Sequence, residues 1–131
     1  MRPINKKAVI ISAELTKCTD KTNKHNTDIL ETLIVKHGLS YKHLVGSYKG
    51  IREASFLVEY DTQLPLILDW AEKLEQESVL LLDEDRNAQL FDFKDQQGVI
   101  IGKLQAITSK QAIKLENFSY CPLNNQFFGV L

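Results

Sequence analysis

The sequence is poor in cysteine, carries almost no net charge and has no long apolar run, and each shortage excludes a class of protein. Its two cysteines, Cys18 and Cys121, lie far apart and show neither a disulfide framework nor paired metal-ligand spacing, so both read as thiols of a reducing compartment. The histidines His25, His37 and His43 include no pair one helical turn apart and no cysteine partner at zinc-site spacing, which leaves them as surface or capping residues. With a formal net charge of −1 and no basic stripe, binding to nucleic acid through global charge is not expected. No apolar stretch approaches the roughly 20 residues of a membrane-spanning helix. Lys6-Lys7 followed by Ala8-Val9-Ile10-Ile11-Ser12-Ala13 has the outline of a secretion signal, but the run is too short and Glu14 interrupts it. The expected location is therefore the cytoplasm. No Ser-His-Asp series, phosphate loop, dinucleotide fingerprint or metal motif is present, which removes support for most hydrolases, kinases and oxidoreductases.

What is present describes one ordinary domain over residues 1–131, with 44% apolar and 25% charged residues. Alternation predicts a strand over Lys7–Leu15, and the polar stretch from Thr16 to Asn26 reads as an exposed loop able to act as a lid. Asn26 or Thr27 can cap a helix that starts at Asp28 and stops at Gly38. Two strands follow, Tyr41–Tyr48 and Glu53–Tyr60, around a turn at Lys49-Gly50-Ile51-Arg52. A second helix opens at Asp61-Thr62 with the stripe Leu64, Ile67, Leu68, Ala71 and Leu74, and leaves Trp70 off that stripe, partly exposed. Ser78–Leu82 and Ala88–Phe93 are strands joined by a charged turn. Val99-Ile100-Ile101 reads as a short buried strand and Ala112–Tyr120 as another, and the apolar end Phe127–Leu131 must dock on its own domain or on a neighbour.

The order strand, helix, strand, strand, helix, strand is that of an α+β ferredoxin-like split βαβ (βαββαβ), with additional C-terminal strands. Both helices would cover one sheet face. Ile10, Leu57 and Leu80 on the other face then require cover, and a small ring such as a homotrimer, with ligand clefts between subunits, would supply it.

Candidate chemistry gathers around the first hairpin. Glu53, Ser55, Leu57 and Glu59 alternate onto one face of their strand, and Tyr48 sits across the hairpin. A carboxylate, a hydroxyl and a phenol near a glycine turn can bind ribose hydroxyls, stabilise a cation or handle a proton. The same spacing also fits a surface pairing of Glu53 with Lys49 or Arg52. Gln76 and Ser78, where the second helix meets its strand, are either exposed residues of a helix end or binding groups. Ser12, Glu14 and Asn26 come after them.

At these residues the sequence resembles the phage-encoded S-adenosylmethionine (SAM) lyases, formerly called SAM hydrolases. The matching segments are Ile11-Ser12-Ala13, Gly46-Ser47-Tyr48 with Arg52-Glu53-Ala54-Ser55, and Trp70-Ala71 through Glu75-Gln76-Glu77-Ser78-Val79-Leu80. A group of uncharacterised bacterial proteins shares part of this pattern. The resemblance implies a ferredoxin-like trimer that binds SAM between subunits and uses no metal or organic cofactor. It further implies intramolecular attack of the substrate carboxylate, giving methylthioadenosine and L-homoserine lactone, as a phage anti-restriction function. Carried over residue by residue, Tyr48 and Glu53 fall in the catalytic pocket, and Ser12, Asn26, Ser55 and Gln76 become substrate contacts. In some relatives the tyrosine and glutamate lie closer together than Tyr48 and Glu53, which keeps Glu59 as the alternative carboxylate. The rival reading is a non-catalytic ferredoxin-like trimer that binds a nucleotide-like ligand or a host protein.

Overall fold

Alternating apolar residues dominate both faces of the first strand, and the architecture follows from covering both. In the computed structural model, which describes residues 5–48 and 50–131, β1 (Ala8–Ser12) is buried along its whole length. It is followed by α1 (Asp20–Lys36), β2 (Tyr41–Tyr48), β3 (Ile51–Glu59), α2 (Leu64–Lys73), β4 (Ser78–Leu82), β5 (Asn87–Asp92), β6 (Gln97–Ile107), α3 (Ser109–Lys114), β7 (Asn117–Cys121) and β8 (Gln126–Val130). The strands close into an antiparallel barrel in the order β1-β3-β2-β7-β8-β6-β5-β4.

The expected ferredoxin-like open sheet, the fold class read from the sequence, is overturned by this closure. β2 pairs with β7, and β4 pairs with β5, so neither is a sheet edge. The physical reason lies in the inner face. Ala8, Ile10, Leu44, Leu82, Ala88 and Cys121 form a buried cluster inside the barrel, with Leu57, Leu80, Leu104, Phe128 and Val130 packed against it. Burying one such large aliphatic side chain contributes about 1.5–3 kcal/mol. The four C-terminal strands bury this face within one chain, and closure leaves no unpaired edge.

The outer face carries the larger core. Val9 and Ile11 of β1, Phe56 and Val58 of β3, and Val79 of β4 pack under Leu30 and Ile34 of α1 and Ile67, Trp70 and Ala71 of α2. Trp70, expected to be partly exposed, is 6% exposed, with its ring 5.1 Å from that of His37 at the end of α1. The neighbouring helix end covers a position that the helical stripe alone leaves open.

Several boundaries also move. The polar stretch expected to be a long loop enters α1 at Asp20, because the Thr19 hydroxyl accepts from Thr22 N at 3.1 Å and caps the helix. Asn23 within it is buried and binds Leu15 N at 2.9 Å and Leu15 O at 3.0 Å, tying the helix to the chain leaving β1. In the first hairpin, pairing continues out to Tyr48 and Ile51, so Ile51 and Arg52 belong to β3 and not to the turn. Gly50 takes a φ of +82° there, a conformation that glycine adopts without steric cost. Lys49 is outside the described residues. Val99 and Ile100, expected to be buried, are 62% and 76% exposed on β6. The segment expected to be one strand over 112–120 divides into α3, capped reciprocally by Thr108 and Gln111, and β7. The apolar C-terminus docks on its own chain, as β8 between β6 and β7. Among the described residues no helix is long and apolar enough to cross a membrane.

Candidate active site

One end of the barrel lumen is packed shut by the inner cluster, and the other opens into a cleft of about 970 Å³. The register of the strands sets which residues reach it. Ser12, the last residue of β1, lies opposite Ser55 of β3, while Glu53 lies opposite Gly46 of β2, which in turn lies opposite Ser119 of β7. Gly46 places no side chain between Glu53 and Ser119. Ser12, Glu53, Ser55 and Ser119 all line the cleft, together with Gln76 and Ser78 from the junction of α2 and β4.

A small network fixes the chain leaving β1 against β3. The Ser12 hydroxyl donates to Ala54 O at 2.9 Å and accepts from Glu14 N at 3.0 Å. The Glu14 carboxylate accepts from Ala54 N, and Gln76 Nε2 donates to Glu14 O at 3.2 Å. Gln76 is delivered by the end of α2, where Glu75 turns through a φ of +60° and Gln76 N donates to Ala71 O. One feature of the cleft is left unsatisfied. Ser55 is 2% exposed, and its Oγ has no hydrogen-bond partner among the described residues. Such a buried polar atom costs about 1–3 kcal/mol unless a ligand or water engages it.

Burial pushes the Glu53 carboxyl above the usual carboxylate range, the neighbouring Ser12 hydroxyl draws it part of the way back, and the Glu14 charge pushes it up again. Among the described residues Glu53 forms no ion pair with Arg52 or any other base. Among the described residues the cleft is acidic: Glu14, Glu53, Glu75, Glu77 and Glu116 line it with a single base, Lys17, which lies 3.4 Å from Glu75.

Of the residues singled out from the sequence, Ser12, Glu53, Ser55 and Gln76 meet in this cleft. The backbone of Tyr48 pairs with Ile51 and with Asn117, a lining residue, and its side chain is outside what the structure describes. Asn26 is half-buried within α1 and does not line the cleft. Glu59 sits six residues along β3 from Glu53, roughly 20 Å away at strand rise, with its N–H bonded to Ser40 O. It belongs to the other end of the barrel. Sequence reasoning missed the contribution of the C-terminal half, in which Asn117, Ser119 and Phe128 line the cleft. The available signal was Ser119 between Phe118 and Tyr120, a small polar residue alternating with aromatic ones in a strand.

A family model described as the S-Adenosylmethionine lyase family matches residues 9–131, nearly the whole chain. Among curated proteins, none matches.

Proposed function

Since the chain belongs to the S-adenosylmethionine lyase family and is a SAM lyase, we propose that the cleft at the mouth of the barrel is where it handles SAM. The carrying observation is a buried Ser55 hydroxyl, without a partner among the described residues, in the same cleft of about 970 Å³ as a desolvated Glu53. A nucleoside is the kind of ligand that such a part-apolar cavity with a few convergent polar groups accepts.

The reaction proposed is intramolecular. A carboxylate oxygen of SAM bonds to its own γ-carbon as the carbon–sulfur bond breaks, and that bonding pair stays on sulfur. Methylthioadenosine and L-homoserine lactone result, with no water consumed and no proton transferred. Two opposite charges disappear along this path, so a cleft drier than bulk water favours it, and the fold's main contribution is to hold the methionine chain bent for attack. In this reading Glu53 lies near the sulfonium or the ribose and Tyr48 shares the catalytic pocket. Ser12, Ser55 and Gln76 hold the substrate, and Asn26, away from the cleft, has no contact to make.

The proposal includes a homotrimer with the clefts between subunits. It is supported by exposed Val99 and Ile100 on the same strand as Ile101, which lines the cleft. It also includes the cellular role implied by the phage enzymes, depletion of the methyl donor in the host cytoplasm. The test is incubation with SAM in ¹⁸O-enriched water followed by mass spectrometry. Unlabelled homoserine lactone accompanying methylthioadenosine is expected. Homoserine labelled at its hydroxyl, with no lactone formed first, would show attack by water on the γ-carbon.

A further inference from the structure

We propose that Glu14 is a specificity-determining residue that shares the cleft with Glu53, so that the cleft holds a cationic sulfonium nucleoside in preference to its neutral thioether counterpart. This rests on the active-site reading above and adds a residue and a selectivity to it. The β1–β3 pairing ends at Ser12 opposite Ser55, and beyond it the Glu14 carboxylate accepts from the backbone N–H of Ala54, the residue next to Glu53, so that both carboxylates line the cleft. The bonds from Ala54 N to the Glu14 carboxylate and from Ser12 to Ala54 O hold the chain in that arrangement.

Two carboxylates close together in a partly desolvated cleft repel each other. Among the described residues neither carboxylate is in an ion pair, and the one base lining the cleft, Lys17, lies against Glu75. The fold alone gains nothing from this juxtaposition. A positive charge near both offsets their repulsion, and the buried Ser55 hydroxyl, without a partner among the described residues, is an independent polar group in the same cleft able to bond a ligand. Once the sulfonium becomes a thioether, the attraction ends, and the nucleoside product is released rather than retained.

The test is Glu14→Gln, which keeps an oxygen to accept from Ala54 N and removes the charge. KM for SAM should rise about tenfold, the scale of one partly screened charge contact, with the loss falling in KM rather than in kcat. Inhibition by methylthioadenosine should stay unchanged, so the preference for the cation narrows about tenfold. Glu14→Asp, which keeps the charge, should retain the preference. An unaltered preference in Glu14→Gln would overturn the proposal. So would equal weakening of SAM and methylthioadenosine, which would make Glu14 a structural residue only. If Glu14→Gln does not fold, the wild type decides: its kcat/KM should fall with salt while methylthioadenosine inhibition does not, and a flat salt profile counts against Glu14. Failure of the underlying active-site reading looks different, because Glu53→Gln would then keep full activity.

Discussion

The two faces of β3 do opposite work. Outward, Phe56 and Val58 are 0% exposed in a core of aliphatic and aromatic side chains under two helices. Inward, Glu53, Ser55 and Leu57 descend from a desolvated carboxyl through a partnerless hydroxyl to an apolar plug. The same period of two thus assigns the helix-covered core to one set of residues and the lumen and its cleft to the next. A residue's importance to folding says little here about its importance to turnover.

The sharpest separation comes from Phe56, whose ring lies 4.9 Å from that of His43. Phe56→Ala should cost roughly 3–5 kcal/mol of stability, read from urea unfolding. Activity per folded molecule should persist. A variant that stays stable would mean that the outer core is not the main source of stability.

Glu53→Gln should act the other way, lowering kcat by about 100-fold or more. Its stability effect follows from the direction of the carboxyl's shift. A pKa raised in the folded state means that folding favours the protonated form. This stabilisation is complete below the ordinary glutamate range and is lost as pH rises through the raised value. The glutamine variant keeps a neutral side chain throughout, so at neutral pH its Tm should exceed that of the wild type, and the two should converge in acid. A lower Tm at neutral pH would show that the ionised carboxylate has a favourable partner.

Ser55→Ala removes the partnerless hydroxyl. Stability should stay level or rise by up to about 1 kcal/mol, while KM for SAM rises several-fold. A loss of stability with KM unchanged would instead place Ser55 in the structural set. The smallest effect is expected far from the cleft, at the β4–β5 turn. Asn87 donates to the Asp83 carboxylate from its side chain and backbone, both at 2.8 Å. The side-chain bond leads in holding Asp83 below the usual range, against a smaller opposing effect of desolvation. Stability from it is present above the ordinary aspartate range and is lost as pH falls through the lowered value. Asp83→Asn should therefore flatten slightly the acid limb of a Tm–pH curve and leave turnover untouched.

Much of the first 82 residues was legible because its signals are local. Alternation marks β1 and β3, a short apolar run marks β4, Gly38 ends α1, and the apolar stripe from Leu64 to Leu74 marks α2. That Ser12, Glu53, Ser55 and Gln76 line one cleft was legible for the same reason, since Glu53 and Ser55 alternate onto one face of β3 while Ser12 and Gln76 lie at a strand end and a junction. Closure was not legible. It depends on β2 meeting β7 and β6 meeting β8, pairings between segments whose sequences do not name their partners. The apolar run at 99–101 misled because hydrophobicity signals a need for cover without saying whether this chain provides it. Asn26 misled in a related way. It has the side chain of a helix cap, but the cap came seven residues earlier, at Thr19.

The plug of Ala8, Leu82, Ala88 and Cys121 at the closed end of the lumen makes the barrel a cup rather than a pipe. On the proposed reading, whatever enters leaves by the same door, so a product must clear the mouth before the next substrate arrives. Traffic through one opening, and not only the chemistry proposed beside it, then becomes a quantity that the residues of the rim can tune.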